Sequence, residues 1–273
     1  MENDKKLRVC VAGATGWAAS ELCRGIVATS DLELVCAVAR KSAGQDLNEV
    51  LALGHNNPIP IFATLEETLN IHYDVLLDYT SPTIAEHHVV TAINNGIDVV
   101  VGTSGLTDSQ YEYIATIASQ KNQAVLAVGN FAISVVLLNK FAEMAAKHMP
   151  SWEIIDYVSN TKVDSPSGSA LELANRLGKI NSSLITVPIA DTKGIKETRG
   201  ANINGMQVHA VRLPGFVISL EAIFGMESEK LTIKHEAGAS AKPYVQGALL
   251  AIRKVGSFKG LKRGLDQVMD FNS

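Results

Sequence analysis

Apolar residues in the first half of the chain fall into short β-branched runs separated by stretches of helical period. "KLRVCVA" leads into "WAASELCRGIVATS" and "LELVCAV", and the alternation continues through "YDVLLDYT", "TIAEHHVVTAINNG", "IDVVVG", "DSQYEYIATIASQK" and "AVLAVG". Strands this short and this apolar, with helices of about 10 to 15 residues between them, predict βαβ crossovers and a parallel sheet covered on both faces. After Asn130 the rhythm changes. A long helix over 132–148, a strand ("WEIIDYV"), a loop ("DSPSGS") and a helix ending at Leu177 precede a polar stretch, 192–204. Two strand-like runs follow, "GMQVHAVRL" and "KLTIKHEA", and a last helix spans 242–255. The expected class is α/β: an N-terminal Rossmann-type doubly wound parallel sheet, then an α+β domain with a mixed or antiparallel sheet. Its boundaries are placed at 1–130, joined by 240–273, for the first domain and 131–239 for the second.

Composition removes several alternatives. A formal net charge of -4 argues against a broad nucleic-acid interface, which needs a basic face to displace counterions. No run approaches the roughly 18 uninterrupted apolar residues of a membrane span. The opening "MENDKKLRV" lacks the basic-then-apolar order of a secretory signal, so a cytoplasmic protein is expected. Cys10, Cys23 and Cys36 have neither metal-ligand nor redox spacing and read as small buried hydrophobes in a reducing compartment; no metal site is expected.

The chemistry begins at "VCVAGATGWAAS", residues 9 to 20. Gly13 and Gly16 follow a predicted strand and open a predicted helix, the context in which a GxxG spacing signals a phosphate-cradling turn. Glycine lets the backbone approach a pyrophosphate, and the helix N-terminus adds unpaired N–H groups and a positive dipole end. Ala19 can replace the third glycine, whose task is close helix–strand packing. Gly13, Ala14, Thr15, Gly16, Trp17 and Ala18 are therefore candidate dinucleotide contacts. At the end of the second strand, where a carboxylate would hold a ribose 2'-OH, the chain reads "CAVARKS". The cations Arg40 and Lys41 and the hydroxyl of Ser42 suit a 2'-phosphate, which predicts NADPH over NADH.

"DYTSP" (78–82), "GTSG" (102–105) and "GNFAIS" (129–134) lie where parallel strands should end. Ligands bind outside such carboxyl ends, so these small and hydroxylated residues suit a nicotinamide-ribose floor. Then "KVDSPSGSA" (162–170) places a lysine before a turn that opens a helix. N–H groups at that helix start can bind a substrate carboxylate, and Lys162 can add a cation or a proton.

Taken in order, "VAGATG", "DYTSP", "GTSGL", "GNFAISV", "KVDSPSGSA", "HAVRLPG" and "IFG" resemble the motifs of the 4-hydroxy-tetrahydrodipicolinate reductase (dihydrodipicolinate reductase) family of lysine biosynthesis. "KVDSPSGSA" is close to the family's KxDAPSGTA. The resemblance implies a tetrameric, NADPH- or NADH-dependent enzyme whose N-terminal nucleotide domain and C-terminal substrate and oligomerisation domain are joined by hinges. Carried over by position, it implies cofactor contacts at Gly102, Thr103, Ser104, Val128, Gly129, Asn130 and Phe131. It implies substrate contacts at Lys162, Ser167, Gly168 and Ser169.

The chain departs from the family at the catalytic centre. Where the family reads EAHHRHK, this chain reads "DYVSNTK", with Val158 and Ser159 in the places of a histidine pair; where it tends to RxGxxVGEH, this chain has "RLPGFVISL", with Leu220 for another histidine. Valine donates no proton and serine is a poor acid near neutral pH. The expectation is a reductase of the same type acting on a C=N or C=O carbon of a different small carboxylated substrate, with Lys162 as the leading catalytic residue and Tyr157 second. The orthodox lysine-pathway activity is the alternative, and a non-catalytic NADPH sensor or scaffold the third reading. Semialdehyde and acyl-phosphate dehydrogenases, which open similarly, need a mid-chain nucleophilic cysteine; none follows Cys36. His87 and His88 read as a packed and an exposed pair. His209 and His235 could approach the pocket, although structural roles are favoured.

Overall fold

The computed structural model describes residues 6–271. The leader expectation, in so far as it rests on residues 1–5, and the outermost limits of the first domain fall outside that range. The chain divides into two compact units, Met1–Ile133 with Ala241–Ser273, and Ser134–Ser240.

In the first unit β1 (Leu7–Ala12), α1 (Trp17–Val27) and β2 (Leu32–Val38) form the opening crossover. The short α2 (Leu47–Leu51) and β3 (Ile61–Phe62) follow, then β4 (Val75–Asp78), α3 (Pro82–Asn94), β5 (Asp98–Val101), α4 (Asp108–Lys121) and β6 (Ala124–Ala127). With β12 (Gly260–Arg263) the strands pair in the order β12-β6-β5-β4-β1-β2-β3, and all six pairings are parallel. The edge strands β3, of two residues, and β12, reading GLKR, were not expected, because neither carries an apolar run. The central strands are buried on both faces, as Val9 to Ala12 and Val99 to Val101 illustrate, so they read as apolar runs without alternation. Chain order reverses between β1 and β4, which opens a crevice beyond their carboxyl ends.

The second unit contains α5 (Ile133–Ala145), β7 (Ser151–Val158), α6 (Gly168–Gly178), β8 (Ala201–Ile203), β9 (Met206–Arg212), β10 (Ile218–Met226) and β11 (Glu229–Ala237). Their sheet runs β11-β10-β7-β9-β8 and is mixed, with β7 and β9 parallel and the other pairs antiparallel. The expected polar stretch 192–204 contains β8, and β10 was not foreseen. β7 alternates strictly, with Trp152, Ile154, Asp156 and Val158 buried. That face is covered by Leu138 and Ala142 of α5 and Leu173 and Leu177 of α6. α7 (Val245–Val255) belongs to the first unit. Among the described residues no helix is long and apolar enough to cross a membrane.

Candidate active site

At the crevice between β1 and β4 the chain makes one tight turn. Gly13 has φ +81°, and its N–H donates to the Val38 carbonyl at 2.8 Å. A Cβ at Gly13 would lie 2.3 Å from the Tyr79 carbonyl oxygen, so both the backbone angle and the approach of the β4 end require glycine. Gly16 donates to the Gly13 carbonyl at 2.9 Å and caps α1 with no side-chain hydrogen bond. The first-turn N–H groups of α1 are thus left to a ligand or to solvent. Ala14 and Ala19 are buried, the latter packed where a third glycine is often found; Thr15 and Gly16 are exposed and Ala18 is half-buried. Trp17 is 62% exposed, its ring edge-on to Tyr244 at 6.1 Å.

Arg40, Lys41 and Ser42 form a single 3₁₀ turn just past β2. Arg40 and Lys41 are exposed and Ser42 half-buried, and neither cation has an ion-pair partner among the described residues. Beyond β5, a Cβ at Gly102 would fall 2.1 Å from the Tyr79 ring, and that ring lies 5.8 Å from Phe131. Val128 and Phe131 are buried, so they offer only main-chain atoms to a ligand. Gly129 faces open space, Asn130 Oδ1 accepts from the Ala132 N–H at 2.9 Å, and Ser104 is exposed. An uncapped helix mouth, glycine where side chains are not tolerated and two unpaired cations fit a dinucleotide.

Beneath this floor lies a polar network absent from the sequence expectations. The buried Asp78 carboxylate accepts from Thr103 Oγ1 at 2.6 Å and Thr80 Oγ1 at 2.9 Å. It also binds His88 Nδ1 at 2.8 Å. Thr103 Oγ1 in turn accepts from the Thr80 N–H at 2.8 Å. The ends of β4 and β5 are therefore locked together by a satisfied polar cluster, which a buried carboxylate requires. His88 is buried and its neighbour His87 exposed. The signal was an aspartate ending an apolar strand ten residues before a histidine on the following helix's packed face.

In the second unit, Ser167 caps α6. Its Oγ accepts from the Ala170 N–H at 3.3 Å and donates to Asp156 Oδ1 at 2.7 Å; its N–H donates to Asp156 Oδ2 at 2.8 Å. Arg212 Nη2 donates to the same carboxylate at 2.8 Å and to the Asp164 carbonyl at 3.0 Å. Ser167 is thus buried and committed to the cap, unlike the ligand contact expected of it. Gly168 is exposed with open space around it, and Ser169 is half-buried. Lys162 is exposed and pairs with Asp164 at 2.7 Å, holding that carboxyl below its usual range.

Tyr157 is not brought to this turn. Successive strand residues point to opposite faces, so it faces away from Asp156, and its hydroxyl donates to Glu221 at 3.1 Å. Burial first, then the Glu221 carboxylate, push its phenol above the ordinary value, which makes it a still weaker acid. Val158 and Leu220 are buried, and Leu220 belongs to the apolar core between sheet and helices. His209 lines a cavity with Ser165 and Pro166 of the turn, its Nε2 bound to Glu153 at 2.8 Å.

Comparison with known proteins agrees with this architecture. Residues 7–131 match the family model for the dihydrodipicolinate reductase N-terminus, and 134–269 that for its C-terminus. A 4-hydroxy-tetrahydrodipicolinate reductase of Listeria monocytogenes is 33% identical over 97% of this chain and 100% of its own length. One from Desulfitobacterium hafniense is 34% identical with the same coverage. A dipicolinate-bound dihydrodipicolinate reductase from Paenisporosarcina sp. TG-14 superposes with a TM-score of 0.87 at 29% identity, covering 97% of this chain and 100% of that one. An amine dehydrogenase from Mycobacterium smegmatis, 14% identical with a TM-score of 0.68, shares the fold. The chain belongs to the dihydrodipicolinate reductase family and is an NAD(P)H-dependent oxidoreductase.

Proposed function

We propose that the chain carries the orthodox activity of its family, reducing 4-hydroxy-tetrahydrodipicolinate, with NADPH the preferred donor. One observation carries the reading: similarity to enzymes of that name covers 97% of this chain and 100% of theirs. It favours this substrate over the changed one expected from positions 158, 159 and 220. The dipicolinate held by a relative of the same fold supports a small ring carboxylate as the substrate class.

Bound NAD(P)H supplies the hydride. The open first turn of α1, entered through Gly13 and Gly16, takes the pyrophosphate on main-chain N–H groups, while Arg40 and Lys41 take a 2'-phosphate. The Asp78 cluster fixes the loops at Thr80 and Thr103 against which the nicotinamide ribose rests. In the second unit, the α6 start at Gly168 and Ser169 binds a substrate carboxylate together with Lys162, whose ammonium exchanges Asp164 for the substrate. Asp156 and Arg212 hold that helix start in place. We read the assembly as a homo-oligomer, tetrameric by resemblance, which light scattering tests directly.

A second reading, reduction of another small carboxylated imine or carbonyl compound, is favoured by the buried apolar side chains of Val158 and Leu220, which offer no polar atom to a substrate. The deciding experiment follows NADPH and NADH absorbance with freshly generated 4-hydroxy-tetrahydrodipicolinate, then with cyclic imino acids and 2-keto acids. Turnover of the first compound above all others supports the orthodox reading. Turnover only of another compound replaces it with the second.

A further inference from the structure

The residues that would supply an imidazole in this family are apolar or hydroxylated here, yet one cross-strand row holds a histidine. His235 of β11 pairs with Leu220 of β10, which pairs with Asp156 of β7. Directly opposed residues of antiparallel strands point to the same face, so His235 and Asp156 flank Leu220 on the helix-covered side, about 10 Å apart across two strand spacings. Each end of the row holds the start of a helix. Asp156 receives Ser167 at the N-cap of α6, and His235 Nδ1 is bound to Ser134 Oγ, in the first turn of α5, at 2.9 Å.

The two helix starts therefore converge on one end of one sheet face, with Leu220 between the polar ends of the row and Val158 in the next row, opposite Ile218. Two positive helix ends there favour an anionic ligand. His235 is 6% exposed, and its Nδ1 is occupied by Ser134. Its Nε2 has no partner among the described residues and is not sealed from solvent. A histidine with one nitrogen anchored has its ring orientation and tautomer set by that bond. Burial also lowers its basicity, so near neutral pH the ring is an uncharged donor.

We propose that His235 contacts the substrate through Nε2, donating the hydrogen bond that histidines at 158, 159 or 220 would otherwise supply, with Ser134 selecting the Nε2–H tautomer. The ligand class is a small ring carboxylate anchored at the α6 start and reaching toward β11. This rests on the reductase reading above.

Two variants separate contact from support. In His235→Asn the amide oxygen takes the accepting place of Nδ1, preserving the bond from Ser134 and removing Nε2; in His235→Gln the amide nitrogen takes the donating place of Nε2. With the full chain and NADPH, His235→Asn is expected to lower kcat/KM roughly 10- to 100-fold while leaving nucleotide affinity unchanged, and His235→Gln to lose markedly less. Wild-type activity in His235→Asn, equal losses in the two variants, or a loss confined to His235→Gln would overturn the proposal. Long-range ¹⁵N–¹H imidazole spectra of the wild-type chain give a reading independent of turnover. Adding dipicolinate should move the Nε2 resonance assigned to His235 by its absence in the variants, and an unmoved resonance also overturns the proposal. Failure of the wild-type chain to oxidise NADPH or NADH with any test compound counts instead against the reductase reading.

Discussion

Asp156 is the sharpest place to test whether the second unit is built as described. Its carboxylate is buried and takes three donors at 2.7 to 2.8 Å, the Ser167 N–H, the Ser167 hydroxyl and Arg212 Nη2. Replacing it with leucine leaves the Arg212 side chain, 18% exposed, without its counter-charge, and strands the Ser167 N–H in the sheet–helix core. Removing one partner of a buried pair costs about 3–5 kcal/mol. Arg212 also donates to the carbonyls of Asp156 and Asp164, which Asp156→Leu preserves, so the lower end, about 3 kcal/mol, is expected. At a urea m-value of ~1–3 kcal/mol/M that lowers the transition midpoint by roughly 1–3 M. The chain has two tryptophans, one in each unit. A Trp17→Phe background leaves Trp152, buried 5.9 Å from Phe224, as the fluorescent reporter of the second unit alone. Adding Arg212→Met removes the stranded cation, so the double variant should be more stable than the sum of the single losses by roughly 2 kcal/mol. A single-variant loss below about 1 kcal/mol, or strict additivity of the two, would refute the claim that this carboxylate braces the α6 start.

Gly13→Ala forces a Cβ to 2.3 Å from the Tyr79 carbonyl at φ +81°; the backbone strain alone is worth about 1–3 kcal/mol, and calorimetry should register lost nucleotide binding. Arg40→Ala should reduce the preference for NADPH over NADH by roughly 10- to 100-fold in KM ratio; unchanged discrimination would remove the 2'-phosphate contact. Lys162→Met should abolish turnover with nucleotide affinity nearly intact, and retained activity would exclude Lys162 from the chemistry. Burial pushes the Cys23 thiol up to about 12 and raises that of Cys10 as well, so these thiols should resist a thiol reagent in the native protein and react once urea unfolds it.

The glycine turn after β1 was legible because its requirements are local. A strand, Gly13, Gly16 and a helix start occur within a few residues, and each follows from sterics or main-chain hydrogen bonding. Long-range pairing was not legible. Nothing near Asp78 announces that Thr103, twenty-five residues on, donates to it at 2.6 Å. Tyr157 shows the opposite error: close in sequence to Lys162, it was grouped with it, yet strand alternation turns it to the other face, toward Glu221. Ser167 was read as a ligand group from its motif, whereas its hydroxyl is consumed by the cap and by Asp156.

By itself, the sequence determined the fold class, the family and the turn at Gly13, because hydrophobic periodicity, glycine sterics and ordered motifs all act over short spans of chain. Only the tertiary structure decided which polar groups share a face. The row His235–Leu220–Asp156 joins strands separated by most of the second unit, and its partners on α5 and α6 are chosen by strand register and helix packing, which no local pattern encodes.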